Sequence, residues 1–418
     1  MGEGIGTARA LVASATKELA KILDFWQLRT PDPTNGGFYS SITNDLVVDE
    51  TAPKGLVLNA RILWTFSRAY RHEPRAGYRE MADRAFNYLR EFFWDAEYGG
   101  YYLSVDATGR PLNTKKLTYA QAFALYGLAE YARATGRQEA LPLVRDQHNI
   151  VERAREPLYG GYLEAFTRDW ETEPDMRLGD SDPNEKKSMN THLHILEAYT
   201  NAFAVSPRPE IRASLALVAD ILADKVLDPR TAHFRLYFDE DWGPKSDVTS
   251  YGHDVEGSWL QVEAAEILGT PDRLGRARAM ALRMVDAVIR EGVAADGSLL
   301  YESHGSGAVD DSRHWWPQAE AVVAFVNAFQ LSGDRAYLNA AARTWGYIDR
   351  YLVDHRYGEW FWRVDRNGVP DNSQKKVDTW KCPYHNSRAC LEVIDRLTPF
   401  GVSAPAARQG QGTGGTGG

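Results

Sequence analysis

A short glycine–aromatic signal recurs along the chain and restricts the fold more than any other feature. It reads Gly36-Gly37-Phe38-Tyr39, Gly99-Gly100-Tyr101-Tyr102 and Gly160-Gly161-Tyr162-Leu163. Looser copies follow at His233-Phe234-Arg235-Leu236-Tyr237-Phe238, Gly297-Ser298-Leu299-Leu300-Tyr301 and Gly358-Glu359-Trp360-Phe361-Trp362. Most copies follow an Asp- or Pro-bearing turn, and several precede a second turn such as Asp106-Ala107-Thr108-Gly109 or Asp365-Arg366-Asn367-Gly368. Such punctuation marks strands joined by turns. The copies lie about 60 to 75 residues apart, which leaves room for two helices and a small β element in each repeat.

The intervening stretches carry apolar residues at helical spacing. This predicts helices near 55–70, 117–132, 188–203, 252–268, 314–330 and 383–397, each after a strand signal. Second helices are predicted near 77–93, 139–154, 208–226, 273–291 and 335–352, and a first helix near 7–26 closes the set. Helices of the first group are apolar most of the way round, as in Tyr119-Ala120-Gln121-Ala122-Phe123-Ala124-Leu125-Tyr126-Gly127, and so are expected to be buried. Six helix pairs make an open solenoid or a closed toroid, and because a double-layer barrel needs six pairs, the expected fold is all-α, an (α/α)6 barrel with short β-hairpins at its mouth. Residues 1–402 are expected to form one domain. The Gly-rich stretch 403–418 has no apolar period and reads as a disordered tail.

A net charge of −9 argues against nucleic acid or an anionic membrane as a partner. No apolar run approaches the length of a membrane span, and the N-terminus lacks the pattern of a secretion signal. The two cysteines, Cys382 and Cys390, form no disulfide framework and suit a reducing cytoplasm.

The starts of the buried helices would line the barrel mouth. They carry Asn59 and Arg61; Tyr119 and Gln121; Asn190, His192 and His194; His253 and Glu256; His314, Trp315, Trp316 and Gln318; and Trp380, Tyr384, His385 and Asn386. Five of the ten histidines fall there, which suggests a cavity lined by imidazoles, one guanidinium and indole rings. The pair His192 and His194 is not read as metal-ligating, because residues i and i+2 of a helix point about 200° apart. With no dense carboxylate set either, no metal and no cofactor is expected, and activity should survive chelation. Imidazole near its ordinary pKa suits proton transfer. His253 and Glu256 are spaced i, i+3, so the carboxylate is expected to orient that ring. Histidines with an arginine suggest chemistry at a carbon next to a carbonyl, with Arg61 holding an enediolate oxygen and Trp rings stacking on sugar.

Four stretches then stand out in order: Ser188-Met189-Asn190-Thr191-His192-Leu193-His194, Gly252-His253-Asp254-Val255-Glu256, Arg313-His314-Trp315-Trp316-Pro317-Gln318-Ala319-Glu320 and Trp380-Lys381-Cys382-Pro383-Tyr384-His385-Asn386. With Leu58-Asn59-Ala60-Arg61-Ile62-Leu63-Trp64, they resemble the signatures of cellobiose 2-epimerases, within the N-acylglucosamine 2-epimerase superfamily. The resemblance runs from about residue 15 to residue 398. It implies a metal-free (α/α)6 barrel that reversibly epimerises C2 of the reducing-end glucose in cellobiose or lactose. Some members also isomerise lactose to lactulose. It implies His253 and His385 as the acid/base pair, His194 as the helper in ring opening, Arg61 at the enediolate oxygens and Glu256 behind His253. It places Tyr119, Asp182, Asn190, Trp316 and Trp380 on the sugars. The expected partner is a small disaccharide, and the expected state a cytoplasmic monomer or weak homodimer.

Competing readings are a monosaccharide 2-epimerase or mannose isomerase of the same superfamily, a glycoside hydrolase using Glu256 and Glu320, and a non-catalytic sugar-binding toroid. Turnover on lactose, cellobiose, mannose and N-acetylmannosamine separates them.

Overall fold

The computed structural model describes residues 2–179, 182–307 and 309–400. The expected tail at 403–418 lies outside them. Twelve α-helices run among the described residues: α1 (Gly2–Arg29), α2 (Leu56–His72), α3 (Ala76–Tyr88), α4 (Thr118–Thr135), α5 (Ala140–Glu152), α6 (Met189–Val205), α7 (Pro209–Ile221), α8 (Tyr251–Leu268), α9 (Pro271–Glu291), α10 (Trp315–Ser332), α11 (Arg335–Tyr347) and α12 (Tyr384–Leu397). The even-numbered helices pack side by side in a closed ring, since α12 returns to contact α2. The odd-numbered helices sit outside them, giving the expected (α/α)6 barrel.

Burial separates the two rings. Every residue of α4 from Thr118 to Ala132 is buried. The outer α9 buries Ala277, Met280, Ala281, Met284, Val285, Ala287 and Val288, the single stripe of an amphipathic helix. Three outer helices end in a π turn that the apolar spacing does not reveal, at Leu89–Phe93, Leu222–Val226 and Ile348–Leu352. The N-terminal helix is stitched to the last repeat by two indoles: Trp26 Nε1 donates to Glu359 at 2.7 Å and Trp360 Nε1 to Glu18 at 3.0 Å.

Each glycine–aromatic signal forms a tight turn at the mouth. Asp32, Asp95, Glu156 and Asp354 accept backbone N–H groups two and three residues on, as Asp32 does from Thr34 at 2.9 Å and Asn35 at 3.0 Å. The same carboxylates meet a buried lysine from the segment that leads into an inner helix. Lys54 reaches Asp32 at 2.7 Å, Lys116 reaches Asp95 at 3.0 Å, Lys187 reaches Glu156 at 3.3 Å, and Lys376 pairs with Asp354. Gly161 shows why glycine is required in these turns. Its φ is +83°, and a Cβ would lie 2.8 Å from His192 Nε2 and closer still to Trp242.

The fourth residue of an inner helix then pins its turn. Gln121 bonds both backbone groups of Tyr101, at 3.0 and 2.8 Å, and Gln318 does the same to Leu299 at 2.7 Å each. Asp254 accepts from Phe234 N–H at 2.8 Å. His192 accepts from Tyr162 N–H at 3.0 Å, and its other ring nitrogen lies 2.7 Å from the Ser188 carbonyl. These side chains are scaffold, which leaves neighbouring helix positions for the cavity. No described helix is long and apolar enough to cross a membrane.

Candidate active site

The mouth opens into a cavity of about 220 Å³. His253, His385, His194, Arg61, Glu256, Tyr119, Asn190, Trp316 and Trp380 all line it. The structure therefore gathers nine of the ten expected site residues in one place. Asp182 is the exception. Its carboxylate accepts from Gly179 N–H at 2.9 Å and from the Tyr237 hydroxyl at 3.1 Å, in a smaller cavity that shares Asn190 with the main one. The sequence around Asp182 carries no period that would reveal this placement.

Two of the three expected catalytic imidazoles are backed by a carboxylate. His385 Nδ1 lies 2.7 Å from Glu320 Oε1, and His194 Nδ1 lies 2.7 Å from Glu197 Oε1. A carboxylate accepts the Nδ1 proton, so Nε2 is left as the lone-pair nitrogen on the cavity side. His253 differs: its Nδ1 lies 2.8 Å from Ser250 Oγ. Trp316 packs against two of the rings, 4.7 Å from His253 and 5.7 Å from His385 by ring centroid.

Glu256 does not orient His253, contrary to expectation. It hydrogen-bonds Arg388 and lies 3.9 Å from His385 Nδ1. Helix side chains lean toward the N-terminus, so the first-turn His253 bends back to Ser250, whereas Glu256 sits a turn deeper, facing α10 and α12. Glu320, weighed only as a hydrolase carboxylate, is the partner of His385. Neither it nor Glu197 stood among the expected site residues. The signal for Glu197 was present, since it follows His194 at i+3.

Nor is a dense carboxylate set missing. Glu197, Glu256 and Glu320 converge from α6, α8 and α10, although no two are close in sequence. The atoms offered by His194, Glu197 and Glu256, and by Glu256, Glu320 and His385, lie within 4.8 Å of one another. A second guanidinium, Arg388, already bonds all three carboxylates. The geometry also disfavours a hydrolase pair, because Glu256 and Glu320 share one cation instead of flanking a glycosidic bond about 5–10 Å apart.

Burial sets the charge states. It pushes His253 down to about 3, with His194 adding to the effect, and holds His194 and His385 below the usual imidazole range. The imidazoles are thus uncharged bases, not the near-neutral titrators expected from sequence. Burial alone would raise the Glu197 carboxyl, but His194 and Arg388 hold it low. Arg61 donates to the Tyr119 hydroxyl at 2.8 Å and the Trp380 carbonyl at 3.3 Å, and its plane lies over Phe123 at 4.2 Å. The Asn190 side-chain oxygen has no partner among the described residues. Trp315 and His314 also line the cavity, as do two aromatics from outside the helix starts, Tyr301 and Trp362. The latter two belong to the strand signals, whose alternation sends every second side chain inward. Tyr301 stacks on His314 at 3.9 Å.

The profile of the family described as N-acylglucosamine 2-epimerase (GlcNAc 2-epimerase) matches residues 37–389. A cellobiose 2-epimerase of Bacteroides fragilis is 45% identical over 90% of this chain and 97% of its own length. A solved cellobiose 2-epimerase from Bacillus thermoamylovorans superposes with a TM-score of 0.89 at 38% identity, covering 93% of this chain and 99% of that one. A D-mannose isomerase of Marinomonas mediterranea is more distant, 24% identical over 91% of this chain and 96% of its own.

Proposed function

Because this chain belongs to the N-acylglucosamine 2-epimerase family, we propose that it reversibly epimerises C2 of the reducing-end glucose in β-1,4-linked disaccharides. Cellobiose would give glucosyl-mannose, and lactose would give epilactose. The enzyme is an isomerase of the carbohydrate 2-epimerase class. We read residues 1–402 as its single catalytic unit.

The observation that carries this reading is the pair of uncharged imidazoles, His253 and His385, packed against one indole in a cavity that also holds Arg61. The C2 hydrogen of a closed pyranose is not acidic. Ring opening creates a C1 carbonyl, and loss of the C2 proton then gives an enediolate. Of the His253 and His385 pair, one ring takes that proton and the other returns one to the opposite face. His194, edge-on to Tyr119 at 4.8 Å, is the group for the ring-opening proton. Arg61 and the Tyr119 hydroxyl are the donors for the enediolate oxygens. Trp316, Trp380 and Asn190 hold the sugar. Returning the proton to C1 of the same enediolate would yield the ketose, so some lactulose from lactose follows from the same residues.

Incubation with cellobiose in D₂O tests this. The epimer should appear carrying deuterium at C2, as read by proton NMR and mass spectrometry. Release of glucose, or an epimer with no deuterium at C2, would refute the two-imidazole mechanism.

A further inference from the structure

Below the imidazoles, one guanidinium joins groups from four inner helices. Arg388 Nη1 donates to Glu197 at 2.6 Å, and Nη2 donates to Glu320 at 2.7 Å and also to Glu256. Glu197 and Glu320 are the two carboxylates that back His194 and His385. Arg388 is only 1% exposed and does not line the sugar cavity. We infer that Arg388 is a positioning residue of this site, holding the carboxylates behind His194 and His385 in place so that both rings offer a bare Nε2 to the sugar.

The charge balance supports this. Three carboxylates face Arg388, Glu197 from α6, Glu256 from α8 and Glu320 from α10. On α12 itself the Tyr384 hydroxyl bonds both Arg388 and Glu197. Arg61 of α2 stands 5.1 Å from the Tyr384 ring, Arg396 of α12 shares the Trp259 ring with Arg388, and Arg68 and Arg133 line the rear cavity with it. The Tyr126 ring of α4 packs on Tyr384 at 6.1 Å, and Glu263 of α8 lies at the rear of the layer. Burial, with Glu320 alongside, already pushes Glu256 well above the usual carboxylate range. Without the guanidinium the cluster would take up protons, because like charges this close do not all ionise. A protonated carboxyl behind an imidazole no longer draws the Nδ1 proton to itself.

Arg388 and Glu197 also form a wall of a second cavity, of about 260 Å³, toward the C-terminal ends of the inner helices. Truncating Arg388 would therefore open its place to a small cation from that side.

The inference rests on the epimerase reading, and the wild-type rate on cellobiose tests that reading separately in the same assay. Arg388→Ala should lower kcat by at least about 100-fold with KM nearly unchanged. Its acid limb of kcat against pH should move up by at least about one unit. Guanidinium chloride at about 20 mM, far below denaturing levels, should restore activity at least about tenfold in the variant and not in the wild type. Arg388→Lys should fall between, because an ammonium lacks the planar fork. A kcat within about threefold of wild type would overturn the inference. So would a loss of activity with an unmoved acid limb and no rescue. If Arg388→Ala does not fold, the acid limb of Arg388→Lys decides in the same way.

Discussion

His253 Nδ1 lies 2.8 Å from the Ser250 hydroxyl, its neighbour one helical turn back. The equivalent nitrogen of His385 meets a carboxylate. A hydroxyl both donates and accepts, so it tolerates either ring tautomer, whereas the carboxylate only accepts. Replacement should therefore hurt unequally. Ser250→Ala should lower kcat by less than about tenfold, and Glu320→Gln by at least about 100-fold, both with little change in KM. Steady-state kinetics on cellobiose check this, and equal losses would contradict the assignment.

Arg61 holds its pose through the Tyr119 hydroxyl and the Trp380 carbonyl. A lysine cannot make both contacts and span two oxygens of an enediolate. Arg61→Lys should cut kcat by about 100-fold or more, in line with loss of an oxyanion donor. Tyr119→Phe, which removes one hydroxyl, should cost less. The order of the two losses is the test.

His192 faces away from the cavity and ties its turn to the helix through Tyr162 and Ser188. His192→Ala should lower stability by about 1–3 kcal/mol, because it leaves buried backbone groups unpaired. Its kcat should fall far less than that of His194→Ala. Thermal denaturation alongside kinetics separates the two effects.

Glu263 faces the rear cavity and makes no hydrogen bond to a described residue. Burial, followed by the charge of Glu392, pushes its carboxyl up to about 7. A carboxyl with a raised folded-state pKa favours folding in its protonated form. Its ionisation therefore costs stability as pH rises from about 4.5 through 7, and the cost levels off above that. Glu263→Gln should raise Tm more at pH 8 than at pH 5. Equal gains at both pH values would show that ionisation is not the source.

The repeat count, the helix spans and the mouth histidines were all legible in the chain. Turn chemistry and apolar period act over a few residues, so Gly36-Gly37 or the periodic run after Thr118 declares itself locally. The divergence of His192 from His194 was equally local, because helix geometry sets it. The pairing of carboxylates with imidazoles was not. Spacing by i+3 puts Glu256 on the same helical face as His253, but does not say what stands opposite that face. Glu320 is 65 residues from His385, and Glu197 is 191 residues from Arg388. Their meeting depends on six helices closing into a ring with a common axial register. Asp182 lies next to a matching motif but outside any periodic segment, so its bonds to Gly179 and Tyr237 could not be read from sequence. Local rules specify which side chains a helix presents, and ring closure specifies which of them meet.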